Sequence, residues 1–383
     1  MLTFSDEQNL IRDSVAEIGS RYGHEYFTKK ARSGGRSDEL WAEVGAAGFI
    51  GVSIGEEYGG GGMGMAELSV VIEELGHQGC PLLMLIVSPA ICGSVIERHA
   101  TEAMKQKWLP GIASGEKRMA FAITEPDAGS NSHKIAVTAN KDGDVWRLNG
   151  TKYYISGVDE SDAILVVTRT SRDEETGKGR LSLFVVPTDS PGLSFQSIDM
   201  ELIAPEDQFT VFFDNVELPA DALVGEEGKG LLQVFDGLNP ERIAGAAIGN
   251  GLGLYALEKA TKYANEREVW GVPIATHQGL SHPLAKAYIN VQLSRLATFQ
   301  AAKLWDSGED ASEAANIAKY SAGEAVLEAL DQSIQTHGGN GLTREYGLAD
   351  MWFVARLLRT APISREMILN FVAQHSLGLA KSY

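Results

Sequence analysis

Two segments between Arg118 and Gly157 decide the fold: R-M-A-F-A-I-T-E-P-D-A-G-S over 118–130 and, a hairpin later, N-G-T-K-Y-Y-I-S-G over 149–157. Ala120 to Thr124 alternate as a strand does; Pro126 then fixes φ, and Asp127 and Gly129 supply turn chemistry. Such a turn offers several backbone N–H groups and the hydroxyls of Thr124 and Ser130 to whatever lies above it, which suits a phosphate or a polar ring edge. The second segment places Tyr153, Tyr154 and Ser156 at the end of a neighbouring strand, an aromatic face beside a hydroxyl donor.

Outward from this core the apolar period changes twice. Before it, Leu10, Ile11, Val15 and Ile18, then Leu40, Trp41 and Val44, then Leu68, Val71, Ile72 and Leu75 recur at helical spacing. Ser5 and Gln8 have the spacing of a capping box. From 118 to about 224 the period is two, with strands expected near 145–148, 153–155, 163–168, 181–186, 193–198 and 209–213 and a hairpin turn at Asp142-Gly143. Helical spacing returns after Gly225. Helices, strands, helices is an α+β order rather than an alternating βαβ one. The expected domains are an all-α unit over 1–117, an antiparallel barrel- or sandwich-like β-domain over 118–224, and a C-terminal four-helix bundle over 225–383. Gly59, Gly61 and Gly64 match G-x-G-x-x-G by letter, but no strand precedes them and no βαβ unit follows, so they predict a flexible loop and not a dinucleotide fingerprint.

The 383 residues are 44% hydrophobic, enough for a large core. Fifty-one acidic against 33 basic residues, net −18, argue against nucleic acid and anionic membrane as partners. Two cysteines, Cys80 and Cys92, build no disulfide framework, which points to a reducing cytoplasm. The N-terminus lacks the basic start and apolar core of a signal peptide. The most apolar run, Cys80 to Ile96, is broken by Pro81 and Pro89 and reads as a buried helix pair, not a membrane span. His277, His282 and His337 lack metal-ligand spacing, and no G-x-S-x-G occurs.

The two core segments together resemble the flavin-binding β-domain of the acyl-CoA dehydrogenase family, and the similarity continues in order along the whole chain. It implies FAD as cofactor, with Phe121, Ile123, Thr124 and Ser130 lining one side of the flavin and Ser130 also near substrate. Tyr154 takes the place of a Trp against the isoalloxazine, and Ser156 that of a Thr near N5. Y-A-N-E-R-E-V-W-G-V-P-I-A-T-H-Q is similar to the segment whose Arg, here Arg267, reaches the FAD pyrophosphate of a neighbouring subunit, with Trp270 and Gln278 completing the contact. A planar guanidinium suits a diphosphate because it donates two parallel hydrogen bonds. Q-T-H-G-G-N-G resembles the loop where Gln335, Gly338 and Gly339 approach FAD from a partner. Ser364 stands where a Thr contacts FAD. Contacts that cross subunits imply a homo-oligomer, a tetramer in the family.

The family's reaction needs a carboxylate to remove the α-proton of an acyl thioester while the β-hydrogen leaves as hydride to flavin N5. In many members that Glu lies in a C-terminal E-G-T motif; here Pro362 falls at its position. Isovaleryl-CoA and long-chain members carry it instead on an earlier helix, immediately before a substrate-contacting Arg. In L-N-P-E-R-I-A-G the resemblance makes Glu241 the base, with Asn239 and Arg242 beside the substrate. Pro240 predicts a helix restart, placing Glu241 in a first turn where the helix dipole favours its charge. Proline has no N–H, so the thioester oxygen loses the donor the family takes from this position, worth roughly 10²–10³ in kcat unless another amide such as that of Ile363 replaces it.

The resemblance thus implies an acyl-CoA dehydrogenase that forms a trans-2-enoyl-CoA and passes electrons to an electron-transfer flavoprotein. The early-helix base goes with branched or larger acyl chains. Two other readings fit an altered C-terminal motif: a flavin monooxygenase or oxidase on the same fold, which needs no Glu241, and a non-catalytic subunit that completes FAD sites for a partner chain.

Overall fold

Ser5 caps the first helix as its spacing predicts. Its hydroxyl accepts from the Gln8 N–H, and the Gln8 side chain accepts from the Ser5 N–H, both at 3.1 Å, satisfying two donors a helix start leaves orphaned. In the computed structural model, which describes residues 2–381, this helix is α1 (Asp6–Ser20), followed by α2 (Gly23–Ser33), α3 (Asp38–Ala46) and α4 (Met65–His77). The glycine-rich segment between α3 and α4 is not the loose loop its letters suggest. The N–H groups of Gly60, Gly61, Gly62 and Met63 donate to the carbonyls of Gly55, Gly51, Ile54 and Val52 at 2.8–3.1 Å. Here glycine serves close approach: a Cβ on Gly60 would stand 2.1 Å from the Ile54 carbonyl oxygen.

The apolar run from Cys80 is buried, as expected. It forms a π-helical stretch, Ile86–Gly93, that passes directly into α5 (Ser94–His99), with Pro89 inside. The helix α6 (Glu102–Ser114) completes the N-terminal block.

Strands β1 (Met119–Ala122), β2 (Thr138–Asp142), β3 (Val145–Ser156), β4 (Ala163–Arg172), β5 (Gly179–Pro187), β6 (Leu193–Ile198), β7 (Gln208–Pro219) and β8 (Leu223–Val224) form one eight-stranded sheet in the order β6-β7-β3-β2-β4-β5-β8, with β1 against β4. The expected antiparallel pattern holds for most pairs, but β1–β4 and the single β2–β4 bridge run parallel. The expected 145–148 and 153–155 strands are one twelve-residue strand, β3, paired with β7 and bent by register shifts at Leu148/Gly150 and Lys152/Ile155. Both faces of β4 are buried in separate cores. Leu165 and Val167 join the large core shared with the helices, while Ile164 and Val166 pack with Trp146, Phe184 and Val211 within the β region, the period-two division a pleated strand imposes.

After β8 the chain is helical again: α7 (Gly230–Glu266), α8 (Gln278–Asp306), α9 (Ser312–His337), α10 (Trp352–Leu357) and α11 (Arg365–Phe371). The C-terminal segment therefore supplies three long helices rather than the expected four. The further long helix against α7 and α8 is α4, from the N-terminal block. Buried Glu73 of α4 fixes that packing through its ion pair with Arg295 of α8, 2.7 Å. The helix restart expected at Pro240 is absent: α7 runs 37 residues straight through it. Proline's fixed φ is helical, but it removes one backbone donor and crowds the Asp236 carbonyl four residues back; burial on both sides of Pro240 carries the helix across.

Candidate active site

The segments 118–130 and 149–157 meet in the structure. The Tyr153 N–H donates to the Thr124 carbonyl at 2.9 Å, and Glu125 and Ala128 exchange backbone hydrogen bonds of 3.1 Å that close the turn. Beneath the turn lies a buried ion pair that the sequence reading passed over. Lys152, fully buried, donates to Glu125 at 2.9 Å and to the Ile123 carbonyl at 2.8 Å. The Glu125 carboxylate also accepts from the N–H groups of Ala136 and Val137 at 2.7 and 3.0 Å. Burial pushes the Lys152 ammonium down to about 8, against the pull of Glu125. Ser130 and Gly129 stay exposed, while Phe121 is buried and Ile123 and Thr124 are half-buried.

Tyr154 sits at the second register shift of β3 with φ 58°, a conformation rare for a residue with a bulky side chain. The bulge turns its ring out, half exposed, against Tyr153 at 4.2 Å between centroids. The Ser156 hydroxyl donates to the Gln208 side-chain oxygen at 2.9 Å.

Glu241 lies in the interior of α7, so the helix dipole invoked for it does not act there. Its environment is set by neighbours instead. One turn before it, Gly237 packs against the π-helical stretch and the start of α5, where a Cβ would meet the Ile91 carbonyl at 3.2 Å and Val95 at 2.8 Å. One turn after it, a Cβ on Gly245 would lie 3.6 Å from Pro362. Residues four apart share a helix face, so the half-buried Glu241 stands between the π-helical stretch and the Pro362 turn. Burial pushes its carboxyl up to about 7, opposed by the positive charges of Arg242 and Lys319. Buried Arg242 donates to Asn239 at 2.9 Å and to the Leu238 carbonyl at 3.3 Å, while its Nε has no partner among the described residues. Asn239 in turn donates to Ser312 of α9 at 3.4 Å.

The Ala361–Pro362 peptide is cis. The Ile363 carbonyl accepts from Lys319 Nζ at 2.5 Å, and among the described residues the Ile363 N–H meets no acceptor. Ser364 caps α11, its hydroxyl accepting from the Met367 N–H at 3.3 Å. Lys319 escaped the sequence reading. Its signal was a charged residue on the apolar face of α9, in line with buried Ala315, Ala322 and Val326.

Arg267, Trp270, Gln278, Gln335, Gly338 and Gly339 gather elsewhere, where α7 and α9 end together. Tyr263, one turn before Arg267, stacks on His337 with centroids 4.3 Å apart and accepts from Asn340 at 3.2 Å. All six are exposed; Trp270 is 89% exposed, with φ 54°. Arg267 follows Glu241 by 26 residues of continuous helix, roughly 39 Å at the α-helical rise. The two groups therefore lie toward opposite ends of the second part of α7. An outward aromatic ring beside a hydroxyl, a turn with free polar edges, and a distant Arg beside open glycines nevertheless fit the two ends of a flavin dinucleotide. Among the described residues no group of three His, Cys, Asp or Glu is placed to hold a metal ion, and no helix is long and apolar enough to cross a membrane.

Comparison with known proteins agrees with this geometry. The chain matches the family models "Acyl-CoA dehydrogenase, N-terminal domain" over 5–116, "middle domain" over 120–216 and "C-terminal domain" over 228–377. It is 57% identical over 381 residues to the acyl-CoA dehydrogenase FadE12 of Mycobacterium tuberculosis, covering 99% of this chain and 98% of that one. Among solved structures, a glutaryl-coenzyme A dehydrogenase in complex with glutaryl-CoA superposes with TM-score 0.94 at 30% identity, covering 100% of this chain and 98% of the other. Butyryl-CoA dehydrogenase from Megasphaera elsdenii superposes with TM-score 0.93 at 26% identity, over 98% and 100%. By these matches the chain belongs to the acyl-CoA dehydrogenase family of FAD-dependent oxidoreductases acting on CH–CH bonds.

Proposed function

We propose that this chain oxidises an acyl-CoA thioester to its trans-2-enoyl-CoA with Glu241 as the base that removes the α-proton. The observation that carries the reading is the seat of Glu241, a half-buried carboxyl pushed up to about 7, pressed between the π-helical stretch and a Pro362 turn that itself has no carboxylate. A carboxyl of that kind is ionised enough near neutral pH to accept a proton and basic enough to keep it. Bound FAD would supply the two-electron acceptor for the β-hydrogen, which leaves as hydride. Phe121, Ile123, Thr124, Ser130 and Tyr154 orient its ring system from the β-region, and Ser156 supplies a hydroxyl beside it. Arg242 and Asn239 hold the substrate side of the cleft, where the unpartnered Arg242 Nε awaits an acceptor. The Ile363 N–H takes over from the amide that Pro362 lacks and donates to the thioester oxygen.

The separation of roughly 39 Å between Glu241 and Arg267 supports the reading that Arg267, Trp270, Gln278, Gln335, Gly338 and Gly339 complete the FAD site of a second copy. Ser364 borders the cofactor from the Pro362 turn. A homo-oligomer, a tetramer by analogy with the family, is further supported by Ile289, Leu293 and Leu296, which stand 40–57% exposed along one face of α8. On this reading residues 1–117, 118–224 and 225–383 are the three domains, an electron-transfer flavoprotein is the acceptor, and the substrate carries a branched or larger acyl chain.

The test is anaerobic mixing of the purified holoenzyme with butyryl-, isovaleryl- and octanoyl-CoA while flavin absorbance is followed. At least one thioester is expected to bleach the flavin, at a rate that climbs through pH ~7 as Glu241 ionises. Glu241→Gln is expected to slow that bleaching by at least ~10³-fold with FAD still bound. Bleaching that survives the substitution would remove Glu241 from its role.

A further inference from the structure

The reading of Glu241 as base leaves one buried charge without an assigned task. Lys319, on α9, is 1% exposed. The other fully buried lysine, Lys152, has a carboxylate at hydrogen-bonding distance; Lys319 has none, and its ammonium instead donates to a backbone carbonyl, that of Ile363. Burying an ammonium without a contacting counter-ion is costly, and its neighbours Ala315, Ala322 and Val326 would pack against an apolar side chain as well. The charge is retained at a place where it faces Glu241 across the α7–α9 interface and fixes the peptide that follows Pro362.

We propose that Lys319 is the positioning residue of this site: fastened to the Ile363 carbonyl, its ammonium holds the Pro362 turn against α7 and keeps a fixed positive charge facing Glu241. The groups around the pair are few. Glu241 is faced by Arg242 on its own helix, by Lys319 from α9 and by the neutral, buried Cys92 thiol from the π-helical stretch. Lys319 is faced by Glu241 and Arg242 from α7 and by Glu366 from α11. Burial pushes Lys319 down to about 8, against the pull of Glu241 and Glu366. Its positive charge favours the ionised Glu241 carboxylate while it lasts, and that help fades as Lys319 loses its own proton toward higher pH. Its two tasks separate by chemistry, since a neutral amide can still donate to the Ile363 carbonyl but carries no charge.

The inference rests on Glu241 as base, and the experiment keeps the two apart. The rate of anaerobic flavin bleaching is measured from pH 5.5 to 9.5 for holoenzyme carrying Lys319→Met, Lys319→Gln or Lys319→Arg. The probe is whichever of butyryl-, isovaleryl- and octanoyl-CoA reduces the unsubstituted enzyme fastest. Both neutral variants are expected to move the midpoint of the pH profile up by about one unit. At pH 6.5 they then run up to about ten-fold slower, and Lys319→Gln rejoins the unsubstituted enzyme above pH 9, where Lys319 itself is neutral. Lys319→Arg restores the midpoint. Lys319→Met, which also loses the carbonyl tether, shows in addition a lower plateau than Lys319→Gln. An unmoved midpoint in the neutral variants overturns the proposal, as does a uniform loss at every pH that Lys319→Arg does not rescue, the sign of a packing role alone. Should Lys319→Met fail to fold, Lys319→Gln carries the same test through the midpoint. Survival of bleaching in Glu241→Gln sinks the base assignment instead, whatever Lys319 does.

Discussion

Lys152→Met removes the ammonium beneath the 124–130 turn while keeping most of the stem that fills its place. The lysine is fully buried and donates to the Glu125 carboxylate at 2.9 Å and the Ile123 carbonyl at 2.8 Å. Without it, Glu125 becomes a buried carboxylate held only by the N–H groups of Ala136 and Val137, and Ile123 keeps an unpaired carbonyl. Breaking one side of a buried ion pair costs about 3–5 kcal/mol, so about 4 kcal/mol is the expected loss. An unfolding entropy of roughly 2.1 cal/mol/K per residue over 383 residues makes that about 5 °C in Tm. Since the turn 124–130 rests on this pair, FAD retention through gel filtration should fall with it. The decisive comparison is the double variant. Glu125→Gln added to Lys152→Met neutralises the stranded charge and should recover about 1–2 kcal/mol, although the same change alone in the parent protein destabilises. Differential scanning fluorimetry of the four proteins reads both signs. A Lys152→Met loss below about 1 kcal/mol, or a double variant no more stable than Lys152→Met, would refute the reasoning.

Two further outcomes follow from the same structure. Glu206 is buried, accepts from the Leu83 N–H at 2.9 Å, and is pushed above the ordinary carboxylate range by burial, as is Glu160, which pairs with Arg118. The folded form therefore holds protons that the unfolded chain has released, so stability falls as pH rises from the ordinary carboxylate range toward about 7 for Glu206 and about 8 for Glu160. Glu206→Gln removes its share of the slope, and its Tm relative to the parent should be higher at pH 8 than at pH 5; an equal difference at both would place the cost elsewhere. Arg267→Ala should weaken FAD retention by about 10- to 100-fold through loss of a charge-assisted contact worth roughly 1.5–3 kcal/mol, without changing the elution volume. Full FAD content after gel filtration would show that Arg267 does not reach the cofactor.

Local rules carried the sequence reading a long way where they acted alone. The Ser5–Gln8 box, the Asp142-Gly143 turn and the switch of period near 118 and 225 each depend on a few adjacent residues, and each stands in the structure. The failures share a cause. At Pro240 a local helix-start signal was overridden by packing, because Gln233, Val234 and Gly237 before it and Arg242 to Asn250 after it are buried on one continuous rod. At Gly59 to Gly64 composition suggests freedom, but carbonyls of 51–55 take up the N–H groups of Gly60, Gly61 and Gly62, a pairing no period reveals. Lys152 and Lys319 were missed for the complementary reason: each ammonium is explained by a partner outside its own element, Glu125 on the turn and the Ile363 carbonyl after α10.

The Pro362 turn shows why a vacancy in one motif and a carboxylate in another are a single fact. Gly245 receives Pro362 with room for no more than ordinary contact, and Glu241 lies one helical turn before Gly245 on the same face. A helical side chain leans toward the N-terminal end of its helix, so the Glu241 carboxylate projects from that contact toward Gly237 and the π-helical stretch. A carboxylate carried by the turn would reach the same space from the opposite wall. Two carboxylates there would repel and drive one another to protonate, whereas the proline brings no charge and packs against the glycine. The pairing of Pro362 with Glu241 is then a condition for one ionisable group in that space, and Lys319, reaching the turn by hydrogen bond and Glu241 by charge, touches both halves of the arrangement.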